Sequence, residues 1–166
     1  MNKIIYLLGF IFTISNAYAQ DRQLKMEITN IKSNKDSITI NIDVINVSDK
    51  EMVVYLPNLN SICSSLMHIK FIDLKNNKFC ELLPCTYSAN LKFIKLHSKN
   101  SFILNSGNKK NINYTFSKLN ISPYLKKNYL YKVFVGWYLK DMYIKTSAEN
   151  YFNDDVESNY VLFKND

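Results

Sequence analysis

The stretch SITINIDV, Ser37 to Val44, alternates without a break: Ile38, Ile40, Ile42 and Val44 are branched aliphatics, while Ser37, Thr39, Asn41 and Asp43 are polar. A period of two puts the four aliphatics on one face of an extended chain, and β-branched side chains suit a pleated backbone. This is the pattern of a strand with one face in a core. The same rhythm precedes it in Leu24-Lys25-Met26-Glu27-Ile28-Thr29, with Asn34-Lys35-Asp36 as the turn between the two. Beyond it, Asn46-Val47-Ser48-Asp49-Lys50 interrupts the alternation, and Met52-Val53-Val54-Tyr55-Leu56 resumes it as far as Pro57.

Working outward, Leu66–Leu74 and Phe79–Leu83 read as strands joined through Lys75-Asn76-Asn77-Lys78. Asparagine tolerates the positive φ of tight hairpins, so Asn76-Asn77 is expected to form a two-residue turn. Further strand patterns fall at Leu91–Leu96, Ser101–Leu104, Asn111–Phe116, Tyr129–Leu139 and Tyr160–Phe163. Helix signals are confined to Ser122-Pro123-Tyr124-Leu125, where a proline at a first-turn position predicts one short helical turn. About eight or nine short strands in a chain of this size predict an all-β antiparallel sandwich or barrel.

Three features favour the sandwich: the corner Ile45-Asn46-Val47-Ser48-Asp49-Lys50, the turn Ile103-Leu104-Asn105-Ser106-Gly107-Asn108, and the strand Tyr129-Leu130-Tyr131-Lys132-Val133-Phe134-Val135. Together they resemble the immunoglobulin-like modules of secreted bacterial proteins. The resemblance spans most of Leu24 to Phe163 and implies an immunoglobulin-like β-sandwich, without implying a ligand.

The amino terminus predicts a compartment. MNKIIYLLGFIFTISNAYAQ has Lys3, an apolar run from Ile4 to Ile14, and the small-residue sequence Ala17-Tyr18-Ala19. That order is a secretory signal peptide with cleavage between Ala19 and Gln20. The apolar run is about half of the roughly 20 residues a membrane-spanning helix needs. Residues 1–19 are therefore read as a leader and residues 20–166 as one domain, exported and soluble in the periplasm or outside the cell.

The formal charge of +7 invites a nucleic-acid reading, but twenty of the twenty-one basic residues are lysine and only Arg22 is arginine. Base edges are read chiefly by arginine's bidentate fork, so no nucleic-acid partner is expected. Charge is also uneven, since Asp141 to Asp166 holds six acids against two lysines. A basic body of this kind attracts acidic proteins or anionic polysaccharide.

In an oxidising compartment, paired cysteines become disulfides. Cys80 and Cys85 in one straight strand would lie about 16 Å apart, beyond the limit of about 7 Å between Cα atoms. Pairing across the Asn76-Asn77 turn sets Cys85 opposite His68, near the loop that carries Cys63. The order of preference is Cys63–Cys85, then Cys63–Cys80, then Cys80–Cys85. With His68 and His97 as the only histidines and no Cys-x-x-Cys spacing, no metal site is expected. Asp154-Asp155-Val156-Glu157 lacks the calcium-loop pattern and reads as a solvated acidic turn.

Trp137, Tyr138 and Tyr143 are the candidate binding aromatics, a platform on which sugar rings could stack. Alternation sets Phe134, Gly136 and Tyr138 on one face and Val133, Val135 and Trp137 on the other, so either Trp137 or Tyr138 belongs to the core. No catalytic residues are expected: the acids are scattered, and there is neither a serine elbow nor a Gly-rich loop. No cofactor is expected either. The chain therefore reads as a non-catalytic binding protein with a protein or a cell-surface glycan of the envelope as partner, acting in adhesion, surface assembly or inhibition. The rival reading is a small secreted hydrolase. Candidate surfaces are the Pro57–Ser65 loop, the Pro84–Asn90 loop and the Lys140–Asn159 connection.

Overall fold

The computed structural model describes residues 23–83, 93–140 and 142–165. The leader, the Ala19–Gln20 junction, Cys85 and the Pro84–Asn90 loop lie outside the described residues. In chain order the strands are β1 (Leu24–Ser33), β2 (Ser37–Asn46), β3 (Met52–Tyr55), β4 (Met67–Asp73), β5 (Phe79–Leu82), β6 (Phe93–Lys95) and β7 (Ser101–Leu104). They continue with β8 (Lys109–Ser117), β9 (Ile121–Ser122), β10 (Tyr129–Trp137), β11 (Tyr143–Lys145), β12 (Val156–Glu157) and β13 (Val161–Asn165).

Two antiparallel layers form the sandwich. The smaller has the order β1-β2-β8; the larger runs β12-β10-β4-β5-β9, with β13 also on β10. The aliphatics of SITINIDV are completely buried, as their alternation requires. Facing them from the larger sheet are Ile69, Phe71, Val133, Val135 and Trp137. The Phe71 ring meets Phe116 of the smaller sheet edge-on at 6.4 Å and Phe163 of its own at 5.9 Å. Side chains of both layers thus interdigitate in one core.

The two corners seen in the sequence are one structure. β3 and β7 continue the β2–β8 ladder past a bend, Met52 opposite Leu104 following Ile45 opposite Lys109. Asn46 sits inside that bend with no exposed surface. Its Nδ2 donates to the Lys50 and Leu104 carbonyls at 2.7 and 2.8 Å. Its Oδ1 accepts from the Ser48 amide and hydroxyl at 2.9 and 2.7 Å. Gly107, at φ 71°, gives its N–H to the Asn46 carbonyl at 3.0 Å, a conformation natural to glycine. On the opposite side, the edge of β1 is tied to the larger sheet. The Ile28 amide donates to Asn159 Oδ1 at 2.7 Å, and Ser158 exchanges hydrogen bonds with Val135.

Several expectations are corrected. The β4–β5 hairpin turns through Leu74–Asn77, with Asn77 at φ 56°, and puts Phe71 opposite Cys80. A two-residue turn would have put Asp73 there; the shift of two residues leaves every side chain on its expected face. The helical turn expected at Ser122–Leu125 is absent, because Ile121–Ser122 pairs with β5 as β9 and a cis Ser122–Pro123 bond follows. The helical structure near the cysteines is instead a 3-10 helix, Leu59–Ser64, whose first turn is capped by the Asn58 side chain. The Lys140–Asn159 connection holds β11, which pairs in parallel with β6, and β12. No helix of the described residues is long and apolar enough to cross a membrane.

Asp43, the last polar residue of SITINIDV, is buried and accepts from Asn111 Nδ2 at 3.0 Å and from Lys109 Nζ at 2.6 Å. The Asn111 hydrogen bond first, then that of Lys109, hold its carboxyl below the ordinary 3.8. A carboxylate depressed on folding stabilises the protein above its unfolded value and loses that contribution as pH falls through the folded value. Urea midpoints are therefore expected to fall on acidification below about pH 4, with a shallower fall in Asp43→Asn. Parallel curves for the two proteins would refute the assignment.

Candidate functional site

The outer face of the larger sheet carries exposed Leu74, Phe79, Leu130 and Leu162 with lysines between them. Alternation along β10 sends Val133, Val135 and Trp137 inward and Lys132, Phe134 and Gly136 outward. Register places Gly136 beside both His68 and Glu157, Phe134 beside Lys70, and Lys70 beside Glu81.

At one end of this face, Gly136 leaves room for the chain to fold back on itself. Tyr138 lies over it: a Cβ on residue 136 would stand 2.7 Å from the Tyr138 hydroxyl. The hydroxyl donates to Glu157 Oε1 at 2.5 Å. The ring meets the His68 ring edge-on at 5.1 Å, and His68 Nδ1 pairs with the Glu81 carboxylate. Glu157, Tyr138, His68 and Glu81 thus run in a row across β12, β10, β4 and β5. Partial burial, then the Glu157 hydrogen bond and the charges of Glu157, Asp155 and Glu81, push the Tyr138 phenol far above its ordinary value of 10.0. Tyr138 therefore remains a neutral donor at any physiological pH. Among the described residues no hydroxyl or thiol hydrogen-bonds to the His68–Glu81 pair as a nucleophile would.

Gly136→Ala tests this arrangement. The added methyl meets the mobile far end of the Tyr138 side chain, so the ring is expected to swing out while stability changes by about 1 kcal/mol or less. Loss of the Glu157 contact should bring the Tyr138 phenol down towards 10.0. This is read in carbon-13 tyrosine spectra, with Tyr138→Phe assigning the resonance. An unmoved titration would sink this account of Gly136.

The rest of the face is apolar with lysines between. Phe79 and Leu162 are 59% and 60% exposed, and Leu74 and Leu130 are also exposed. Lys70 Nζ stands 5.7 Å above the Phe79 ring. At the end of the sheet Tyr129, which has inward parity and packs against the core, is flanked by Lys75 and Lys126 at 5.8 and 5.0 Å. Exposed Lys132 and Lys164 belong to the same surface. Asp73, Leu74, Lys75, Asn128, Tyr129 and Leu130 line a depression of about 430 Å³. Contiguous exposed apolar side chains of this sort mark interaction surfaces.

The expected aromatic platform does not form. Trp137 has no exposed surface and belongs to the core, because its parity is that of Val133 and Val135. Tyr138 is committed to Glu157 and His68. Tyr143 is 68% exposed but stands on β11 opposite Phe93, in a separate two-stranded ladder. Phe79, Leu162 and the His68–Glu81 pair were not singled out in the sequence. Strand parity puts Phe79 and Glu81 on one face, but nothing in the sequence marks that face as open.

Among the cysteines, Cys80 is a buried free thiol, and burial raises its pKa. Cys63, on the 3-10 helix, is disulfide-bonded. Of the acidic turn, Asp155 accepts from the Lys140 amide at 3.1 Å and Glu157 from Tyr138. Among the described residues no group of three His, Cys, Asp or Glu side chains is placed to hold a metal.

The fold and this face define an all-β sandwich with an exposed mixed surface. No protein-family model matches the chain, and no curated protein matches it. Among solved structures it is similar to β-glucosidase from Kluyveromyces marxianus in complex with glucose. That match has 19% identity and a TM-score of 0.39, covering 86% of this chain and 14% of the other. The selenomethionine form of the same enzyme matches at 15% identity and a TM-score of 0.38, with the same coverage.

Proposed function

We propose that this chain is an exported, non-catalytic binding protein whose partner is a protein of the envelope, docked on the outer face of the larger sheet. The observation that carries the reading is the exposure of Phe79, Leu162, Leu130 and Leu74 side by side with Lys70, Lys132 and Lys164. Apolar anchors interleaved with lysines suit a protein surface that carries carboxylates among its own apolar side chains. Trp137 is buried and offers no stacking surface to a glycan, which favours the protein partner in this reading. The immunoglobulin-like character and the cleavage after Ala19 belong to the same reading.

The test is affinity capture from envelope extracts with the wild type and with Phe79→Ser/Leu162→Ser. One stoichiometric protein retained by the wild type and lost by the variant supports the proposal. Retention by a glycan column, or equal capture by both, overturns it. The His68–Glu81 pair is what a small hydrolase would use, so a measured hydrolytic activity abolished by His68→Ala would replace the proposal with the enzyme reading.

The same reading keeps the first preference from the sequence, a Cys63–Cys85 disulfide, with Cys80 as the free thiol. Closing that loop of roughly twenty residues stabilises the fold by about 3 kcal/mol in the chain-entropy account. Non-reducing peptide mapping should recover the Cys63 and Cys85 peptides joined, and Cys63→Ser should lose about that stability. A map joining Cys80 to either would refute the pairing.

A further inference from the structure

We propose that two copies of this chain pair through their β8 strands, joining the smaller sheets of both into one six-stranded sheet. β8 is nine residues long and terminal in the order β1-β2-β8. Among the described residues nothing bonds to the backbone of its outer edge. Free N–H and C=O groups in a row form a template for another strand. Edges that must stay unpaired usually carry prolines, bulges or charges, but Asn111-Ile112-Asn113-Tyr114-Thr115-Phe116 has no proline and no charge. The edge of β1, by contrast, is already tied to Ser158 and Asn159.

The geometry beside β8 fits an added strand. Leu56–Asn60 stands off from Ile112–Thr115 and leaves a largely apolar cleft of about 510 Å³ along the middle of the edge. The Tyr114 hydroxyl donates to the Pro57 carbonyl at 2.8 Å and holds the cleft's far wall in place. Its phenol is pushed far above 10.0, chiefly by burial, so it stays a donor.

The sequence of β8 specifies a second copy as the occupant. An antiparallel pair with its two-fold axis at Asn113 uses all nine residues. It sets Ile112 opposite Tyr114 of the second copy, Asn111 opposite Thr115, and Lys109 and Lys110 opposite Ser117 and Phe116. Within the nine paired residues no lysine faces a lysine. Lys118, just beyond Ser117, comes beside Lys109 of the second copy at each end, so the uncharged middle Asn111–Phe116 carries the contact. The inward residues Ile112, Tyr114 and Phe116 keep their side in both copies, so the buried face is continuous across the axis. Such a contact is isologous and closes at two.

Asn113→Cys tests the axis directly. Directly opposed residues of an antiparallel pair have Cα atoms about 4.5–5.5 Å apart, within disulfide range. Mild oxidation is expected to give a dimer on a non-reducing gel, which neither the wild type nor Lys35→Cys, at an exposed turn, produces. Asn113→Lys puts two like charges on the axis and should weaken dimerisation by at least about tenfold. Its far-ultraviolet dichroism should match the wild type, because Asn113 is exposed. Light scattering on the wild-type protein is expected to give twice the monomer mass. A wild-type monomer, an Asn113→Cys protein that does not crosslink, or a dimer indifferent to Asn113→Lys would each overturn the proposal. A different partner strand on this edge would appear as the first of these.

Discussion

Replacing Asn46 by alanine is expected to lower stability by about 3 kcal/mol, a larger loss than most single substitutions bring. The amide is fully buried in the corner and makes four side-chain hydrogen bonds, to Lys50, Leu104 and Ser48. Lys50 and Ser48 sit at the surface and can turn to water. The Leu104 carbonyl is buried, and an unsatisfied buried acceptor alone costs about 1–3 kcal/mol. The cavity and the loosened bend supply the rest. In a domain of this size that corresponds to a fall of roughly 6–12 °C in the unfolding midpoint. Asn46→Asp should be comparably severe, since it keeps the acceptor but removes both donors and buries a charge. A loss under about 1 kcal/mol for Asn46→Ala, by urea unfolding, would mean that the corner is held by its backbone alone.

The second large effect is expected at Trp137. Its side chain is completely enclosed between the sheets, and truncating a buried tryptophan to alanine costs about 3–5 kcal/mol. The indole N–H has no hydrogen-bond partner of normal geometry, although its dipole bears on the Tyr114 hydroxyl. Trp137→Phe loses volume but keeps an aromatic ring in the core, so it should cost clearly less than Trp137→Ala. Trp137 is the chain's one tryptophan, so wild-type emission should be blue-shifted when folded and move red on unfolding. Variants are followed by circular dichroism. Emission at the wavelength of exposed indole in the folded protein would contradict the burial on which this prediction rests.

These two residues show how much of the molecule could be read in advance. The corner at Asn46 and the turn at Gly107 are legible because each is local: a polar break between alternating runs, and a glycine where φ is positive. That the two are one hydrogen-bonded structure is not legible, because Asn46 and its acceptor Leu104 stand 58 residues apart and meet only through the β2–β8 register. For Trp137 the sequence supplies the parity and leaves two faces open. Packing against the smaller sheet selects Val133, Val135 and Trp137 as the inner set, and so removes the residue that looked most suited to a ligand. The helical turn at Pro123 fails for a related reason. A local preference worth a fraction of a kcal/mol yields to the pairing of Ile121–Ser122 with β5.

The sequence alone determined the longer strands, the two faces of each and the all-β class, since side-chain alternation and turn chemistry act over a few residues and need no partner to be read. Tertiary structure decided which face of β10 is buried and where the β4–β5 hairpin turns. It also decided which edge is left unpaired and which charges meet: Glu157 with Tyr138, and Glu81 with His68. Those are contacts between segments distant in the chain, settled by the burial of apolar surface from both sheets at once, and no single stretch carries that information.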